Sequence, residues 1–346
     1  MRRFVGWLGV GALLVGLTFL ISGRAPYVID QPGPALNVLG ETGGKQVITI
    51  KNAKTYPVTG RLDALTVQQI GQPGGEPSWL QVWMASMDES KQIVPMSVAY
   101  PAGVKKSQVF AEDAAMMQAS QQDAQAAALN YLGIKFTSRV YVPSMMTDSA
   151  AKGLIKPGDY IDSVDGLRVA DTDLLRERVQ QWDGVTPLKV GVTSKGVSKT
   201  VEITPTKIKG RYFIGVFVGY KYEFPFKIEV DLGAVGGPSA GSMFALGMID
   251  RLTPGQLIGE NHVAGTGTIS PDGTIGPIGG MVQKMYSAKN AGATIFLAPS
   301  ENCKDAVGKI PAGIKVYSIT RLKTAVELLT AIKNQTNLSG FATCSK

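Results

Sequence analysis

The 346-residue chain holds one histidine, two cysteines and only 18% charged residues. The lone histidine, His262, is the sharpest limit. A serine triad of the chymotrypsin order needs His, then Asp, ahead of the nucleophile, and no histidine precedes "GGPSAGSMF" (Gly236–Phe244). The stretch "GPSAG" does satisfy G-x-S-x-G. A hydrolase of that order would have to fold His262 back onto Ser239 with an acid such as Asp250 between, in cramped spacing. A phosphate-binding lysine is also missing. "GGPSAGS" has none, and "GVTSKGVS" (Gly191–Ser198) has Val197 where it would stand, so no nucleotide is expected. Net charge is +8, yet there is no run of five or six basic residues, no zinc-finger spacing and no basic helix. Nucleic acid is therefore not an expected partner, and neither a cofactor nor a metal is expected. The two cysteines, Cys303 and Cys344, pair and pin the C-terminal tail in an oxidising compartment or stay free thiols elsewhere; composition leaves both open. Asn334 and Asn337 head glycosylation-type triplets that matter only in a eukaryotic secretory pathway.

What is present begins with "FVGWLGVGALLVGLTFLI" (Phe4–Ile21), uncharged and preceded by Arg2 and Arg3. Its length reaches a bilayer span, and the flanking arginines favour a cytoplasmic N-terminus. A cleaved signal peptide is the competing reading, but "SGRAPY" offers no A-x-A site. Either way the residues after Ser22 are expected outside the cytoplasm, with membrane lipid as a partner through the anchor. A mildly basic ectodomain suits an anionic lipid surface.

The rest, with 44% hydrophobic residues and 41 glycines, reads as about two globular domains. Residues 27–133 contain a Pro/Gly-punctuated start, a β-branched strand "KQVITI" (Lys45–Ile50) and a Gly- and Pro-free helix over Glu112–Leu132. That helix has only a partial apolar stripe, which implies packing against small residues. Residues 134–207 alternate short strands with a helix capped by Asp171 or Thr172. "SAAKGLIKPGDYIDSVDGLRV" within them resembles a PDZ domain, a module that takes an extended peptide as an added strand. The match of "YLGIKF" (Tyr131–Phe136) to a peptide-carboxylate loop is loose. Residues 211–333 alternate strands and helices, and 334–346 form a tail.

Ser239 needs a base before its hydroxyl can attack. Lys284, in "GPIGGMVQKMYSAKNAGA" with Met281, Met285 and Ala288 around it, can serve if burial lowers its pKa. On that stretch alone a surface lysine on an amphipathic helix is the commoner arrangement. Taken together, "GGPSAG" and "VAGTGTISPDGTIGPIGGMVQKMYSAKNAGATIFLAPSEN" resemble the Lon proteolytic domain in order and spacing. The resemblance implies an α+β fold, Ser239 as nucleophile, Lys284 as general base and Thr266 as the residue that orients the lysine. It further implies an oxyanion loop of Gly236, Gly237, Pro238, Ala240 and Gly241, whose glycines let a peptide backbone approach. Val235 and Gly236 stand where the family often has an acidic residue and a lysine, and Thr268 where it commonly has Glu. With no ATP-driven module, an anchor and a PDZ unit, the chain is similar to membrane-anchored, PDZ-containing Lon-like proteases. Polypeptide substrates and assembly as a ring-shaped homo-oligomer are implied. "GGKQVITI", "TGRLDALTV" and "MMQASQQDAQAAALNYLG" echo the first half of the proteolytic domain. The PDZ unit is therefore expected as an insertion, with 45–132 packing on 211–333. The rival from another class is a non-catalytic, membrane-tethered peptide-binding scaffold.

Overall fold

The computed structural model describes residues 14, 16, 18, 20–100, 106–233 and 235–345. Most of Phe4–Ile21 lies outside them. Among the described residues no helix is long and apolar enough to cross a membrane. The chain divides into two units, 1–134 with 226–346, and 135–225.

The first unit is built on a mixed six-stranded sheet. Its strands are β1 (Tyr27–Asn37), β2 (Arg61–Ile70), β3 (Gln92–Pro95), β4 (His262–Gly265), β5 (Ile295–Pro299) and β6 (Lys315–Ile319). They lie in the order β6-β5-β4-β2-β1-β3. Strands β2, β4, β5 and β6 run parallel, while β1 pairs antiparallel with both β2 and β3. Alternation along the strands sends side chains to two cores. Leu62, Val263, Leu297 and Ile319 face one, with helices α1 (Lys106–Tyr131), α2 (Gly241–Leu252) and α4 (Leu322–Lys333). Leu65, Ala264, Phe296 and Val316 face the other, with α3 (Met281–Asn290).

Helix α1 starts six residues earlier than the sequence signals, and its small residues do the packing. Ala124 and Ala126–Ala128 are fully buried. A Cβ on Gly241 would sit 2.7 Å from Ser120 Oγ, so the first turn of α2 approaches α1 more closely than any side chain would permit. The first half of the chain thus packs with residues 226–346 in one body.

The second unit is an antiparallel sheet in the order Val197–Ile203, Leu188–Ser194, Tyr160–Val164, Thr137–Met145, Val216–Glu223, with the helix Thr172–Gln180. Asp171 is the cap, accepting from Leu174 N–H at 2.7 Å. Residues 211–225, read from sequence as the opening of the last unit, belong here instead. The reason is that Val216–Glu223 pairs along Thr137–Met145.

Cys303 and Cys344 form a disulfide. Ser318 N–H donates to Ala342 O (2.9 Å) and Cys344 N–H to Val316 O (3.0 Å), so the tail lies against β6. Closing a loop of this length contributes about 2–4 kcal/mol. Cys344→Ser is expected to lower unfolding free energy by that amount in urea melts, and reduction of the wild type to give the same loss.

Candidate active site

Three elements end where β4 ends. The chain leaves β4 at Gly265 and passes through Thr266 and Gly267. The loop carrying Ser239 enters α2 on one face of the sheet, and α3 brings Lys284 from the other face. Beyond the strand end the two helices are no longer separated by the sheet, which is where parallel strands generally offer their sites.

The Ser239 loop is fastened from several sides. Its carbonyl accepts from Gly267 N–H at 2.8 Å and from Thr266 Oγ1–H at 2.9 Å. Pro238 O accepts from Ser120 Oγ at 2.9 Å, and Gly237 N–H donates to Asp113 O at 3.0 Å. Gly237 has a φ of 83°, the left-handed region that favours glycine. Ala240 is the N-cap of α2, and Ser239 is half-buried.

Two expectations from sequence change here. Gly236 and Gly241 are small because α1 presses against them: added Cβ atoms would lie 2.7 Å from Asp113 Cβ and Ser120 Oγ respectively. Close packing, on α1 at Gly236 and on α1 and Ile269 at Gly241, thus calls for glycine at both positions. Gly237 N–H is committed to Asp113, so it is not a free donor. Among the described residues the N–H groups of Ser239 and Ala240 donate no hydrogen bond, and both sit where a helix start leaves donors unpaired.

Lys284 is 3% exposed, so the surface-lysine arrangement does not apply. Met281, Met285 and Ala288 are likewise buried, as the helical spacing predicts. Nζ donates to Thr266 Oγ1 at 3.0 Å. Among the described residues no carboxylate is paired with it, and burial pushes its pKa from 10.5 down to about 7. Ser239 and Lys284 both line one cleft of about 950 Å³. The cleft is also lined by consecutive residues of β2 from Ala64 to Gln69 and by Phe110, Met117 and Val235. Strand β4 pairs with β2 only as far as Ala64, so among the described residues the edge of β2 facing the cleft carries no strand from Leu65 onward.

His262 lies at the opposite end of β4 from Thr266, about 13 Å away at strand rise. Its Nε2 is 2.8 Å from Oδ2 of Asp63, a fully buried carboxylate that Arg61 Nε also contacts at 2.8 Å. Asp250 is taken up by Leu257 N–H at 2.6 Å, and burial raises its pKa. The histidine and that acid therefore have separate structural partners. No group of His, Cys, Asp or Glu able to hold a metal occurs among the described residues. Sequence reasoning missed Ser120 and Asp113, which fix the loop from a distant helix and carry no motif.

Residues 220–332 match the Lon protease (S16) C-terminal proteolytic domain. The Lon protease of Heliobacterium modesticaldum is 35% identical over 169 residues, 47% of this chain and 20% of its own length. Lon protease 2 of Bacillus subtilis is 37% identical over 109 residues, 32% of this chain and 18% of its own. The chain thus spans about a fifth of the length of these relatives. Among solved structures, the PDZ domain of the SdrC-like protein of Listeria monocytogenes covers 23% of this chain and 86% of its own, at 22% identity and a TM-score of 0.22. Over residues 220–332 the chain is similar to the C-terminal proteolytic domain of the Lon protease family.

Proposed function

We propose that the protein is an ATP-independent serine endopeptidase with a Ser239–Lys284 dyad. The observation that carries this reading is the buried Lys284, whose pKa is lowered to about 7 so that a large neutral fraction exists near neutral pH, in the same cleft as Ser239. A neutral amine has a lone pair. With one N–H given to Thr266, Lys284 takes the Ser239 Oγ proton as the oxygen attacks a peptide carbonyl. The resulting ammonium then gives its proton to the departing amine. Water attacks the acyl-enzyme, Lys284 accepts the water's proton, and that proton returns to Ser239 as the acid product leaves. No step consumes a nucleotide.

The N–H groups of Ser239 and Ala240, at the positive end of α2, are suited to hold the oxyanion. The unpaired edge of β2 from Leu65 to Gln69 is suited to take the substrate as an added strand. That demands an extended backbone, so substrates are unfolded, flexible or membrane-emerging segments, which the second unit recruits or gates. The disulfide supports an oxidising, extracytoplasmic location, in keeping with Phe4–Ile21 as a single-pass anchor. Assembly into a ring stands alongside as an implication of the family resemblance.

Ser239→Ala and Lys284→Ala are each expected to reduce hydrolysis of an unfolded protein substrate by at least about 10³-fold. His262→Ala is expected to keep most of the activity of whatever fraction folds. A serine acylator should modify wild type at Ser239, seen by mass spectrometry; a catalytically idle scaffold would remain unlabelled. The base must be neutral, so kcat/KM should be full above pH 8 and fall as pH drops through about 7. A profile flat from pH 5.5 to 8 would contradict the lysine's role.

A further inference from the structure

The outermost strand of the second unit differs from its neighbours. Val216–Glu223 pairs antiparallel with Thr137–Met145, from Val216↔Met145 to Glu223↔Thr137, with an irregularity between Phe217 and Gly219. On its other side stands the helix Thr172–Gln180, whose first residue donates its N–H to Tyr220 Oη at 3.1 Å. The strand therefore lies in the groove between that helix and Thr137–Met145.

The floor of the groove is apolar. Val140 and Val142 from the strand, with Leu175 and Val179 from the helix, belong to one buried cluster; Val216 and Val218 pack on it from above and are only partly buried. Along the seated strand Val216, Val218, Tyr220 and Tyr222 face in while Phe217, Lys221 and Glu223 face out, and none of the eight residues is fully buried. Past its end, Phe136, Tyr222 and Phe224 form a ring cluster with centroids 5.1–5.9 Å apart. Main-chain pairing on one edge and shallow side-chain pockets at alternate positions are how a sheet edge captures an extended peptide.

We propose that Val216–Glu223 is a built-in occupant of a peptide-accepting groove. The groove takes extended segments with β-branched or aromatic residues at alternate positions, and an outside segment binds by displacing this strand. Tethering gives the internal strand an effective concentration of millimolar order. A competitor's apparent affinity is reduced by the fraction of molecules whose groove is open. The inference concerns the second unit alone and holds whether or not Ser239 is a nucleophile.

The test uses the full chain and, as probe, a fluorescent blocked peptide of the strand's own sequence, VFVGYKYE. Two variants bracket wild type. Val218→Asp with Tyr220→Asp unseats the strand. Arg139→Cys with Lys221→Cys, directly opposite across the ladder and both exposed, locks it by a cross-strand disulfide. Fluorescence anisotropy should show the unseated variant binding the probe at least about tenfold more tightly than wild type, and the locked variant not binding. Equal affinity in the folded unseated variant and wild type would overturn the proposal. If the unseated variant does not fold, wild type against locked decides: weaker binding by the locked form supports the internal occupant, and equal binding overturns it.

Discussion

One buried lysine amine sets the terms for the rest of the site. Lys284 is enclosed by α3's own methionines and the sheet, and its single hydrogen bond goes to Thr266 Oγ1. Burial penalises the charged form there and lowers the lysine's pKa to about 7. Thr266 cannot move freely to relieve this, since its own hydroxyl proton is given to the Ser239 carbonyl. Lys284 and the backbone of the Ser239 loop are thus joined through one threonine side chain. Any shift of Ser239 relative to Lys284 would break one of these bonds.

That link depends on where a strand stops. Strand β4 is central and parallel, with α2 packed on one face and α3 on the other. While β4 lasts, the sheet separates the two helices. At Thr266 it ends, and groups from both faces share one cleft. The same ending leaves the far part of β2 without a neighbour on that side. The exposed stretch of β2 and the cleft that holds Ser239 both follow from one short strand. Helix α1 then holds the serine loop from outside through Ser120 and Asp113.

Some of this could be read from the chain. Ser239, Lys284 and Thr266 lie in two segments whose glycines, prolines and hydroxyls have a distinctive order, and turn chemistry is local. The methionines around Lys284 have helical spacing, so their shared burial was legible too. The lysine's burial was not: a charged residue on a helix is usually exposed, and only the sheet packed over α3 overrides that. Gly236 and Gly241 were visible as glycines, but the helix that requires them begins far upstream and touches them only after folding. The Cys303–Cys344 pairing turns on the tail lying against β6, a long-range contact. The partner of Val216–Glu223 was equally hidden, because a strand's alternation says which face is buried and nothing of which edge it joins.

Burial lowers the pKa of Lys284 far enough that a large part of it is neutral near pH 7, which the proposed proton transfer from Ser239 requires. The direct measurement is an NMR titration of the Lys284 side-chain ammonium in the full chain, assigned by comparison with Lys284→Arg. The account predicts an apparent pKa of about 7. A value near the 10.5 of an ordinary lysine would contradict it.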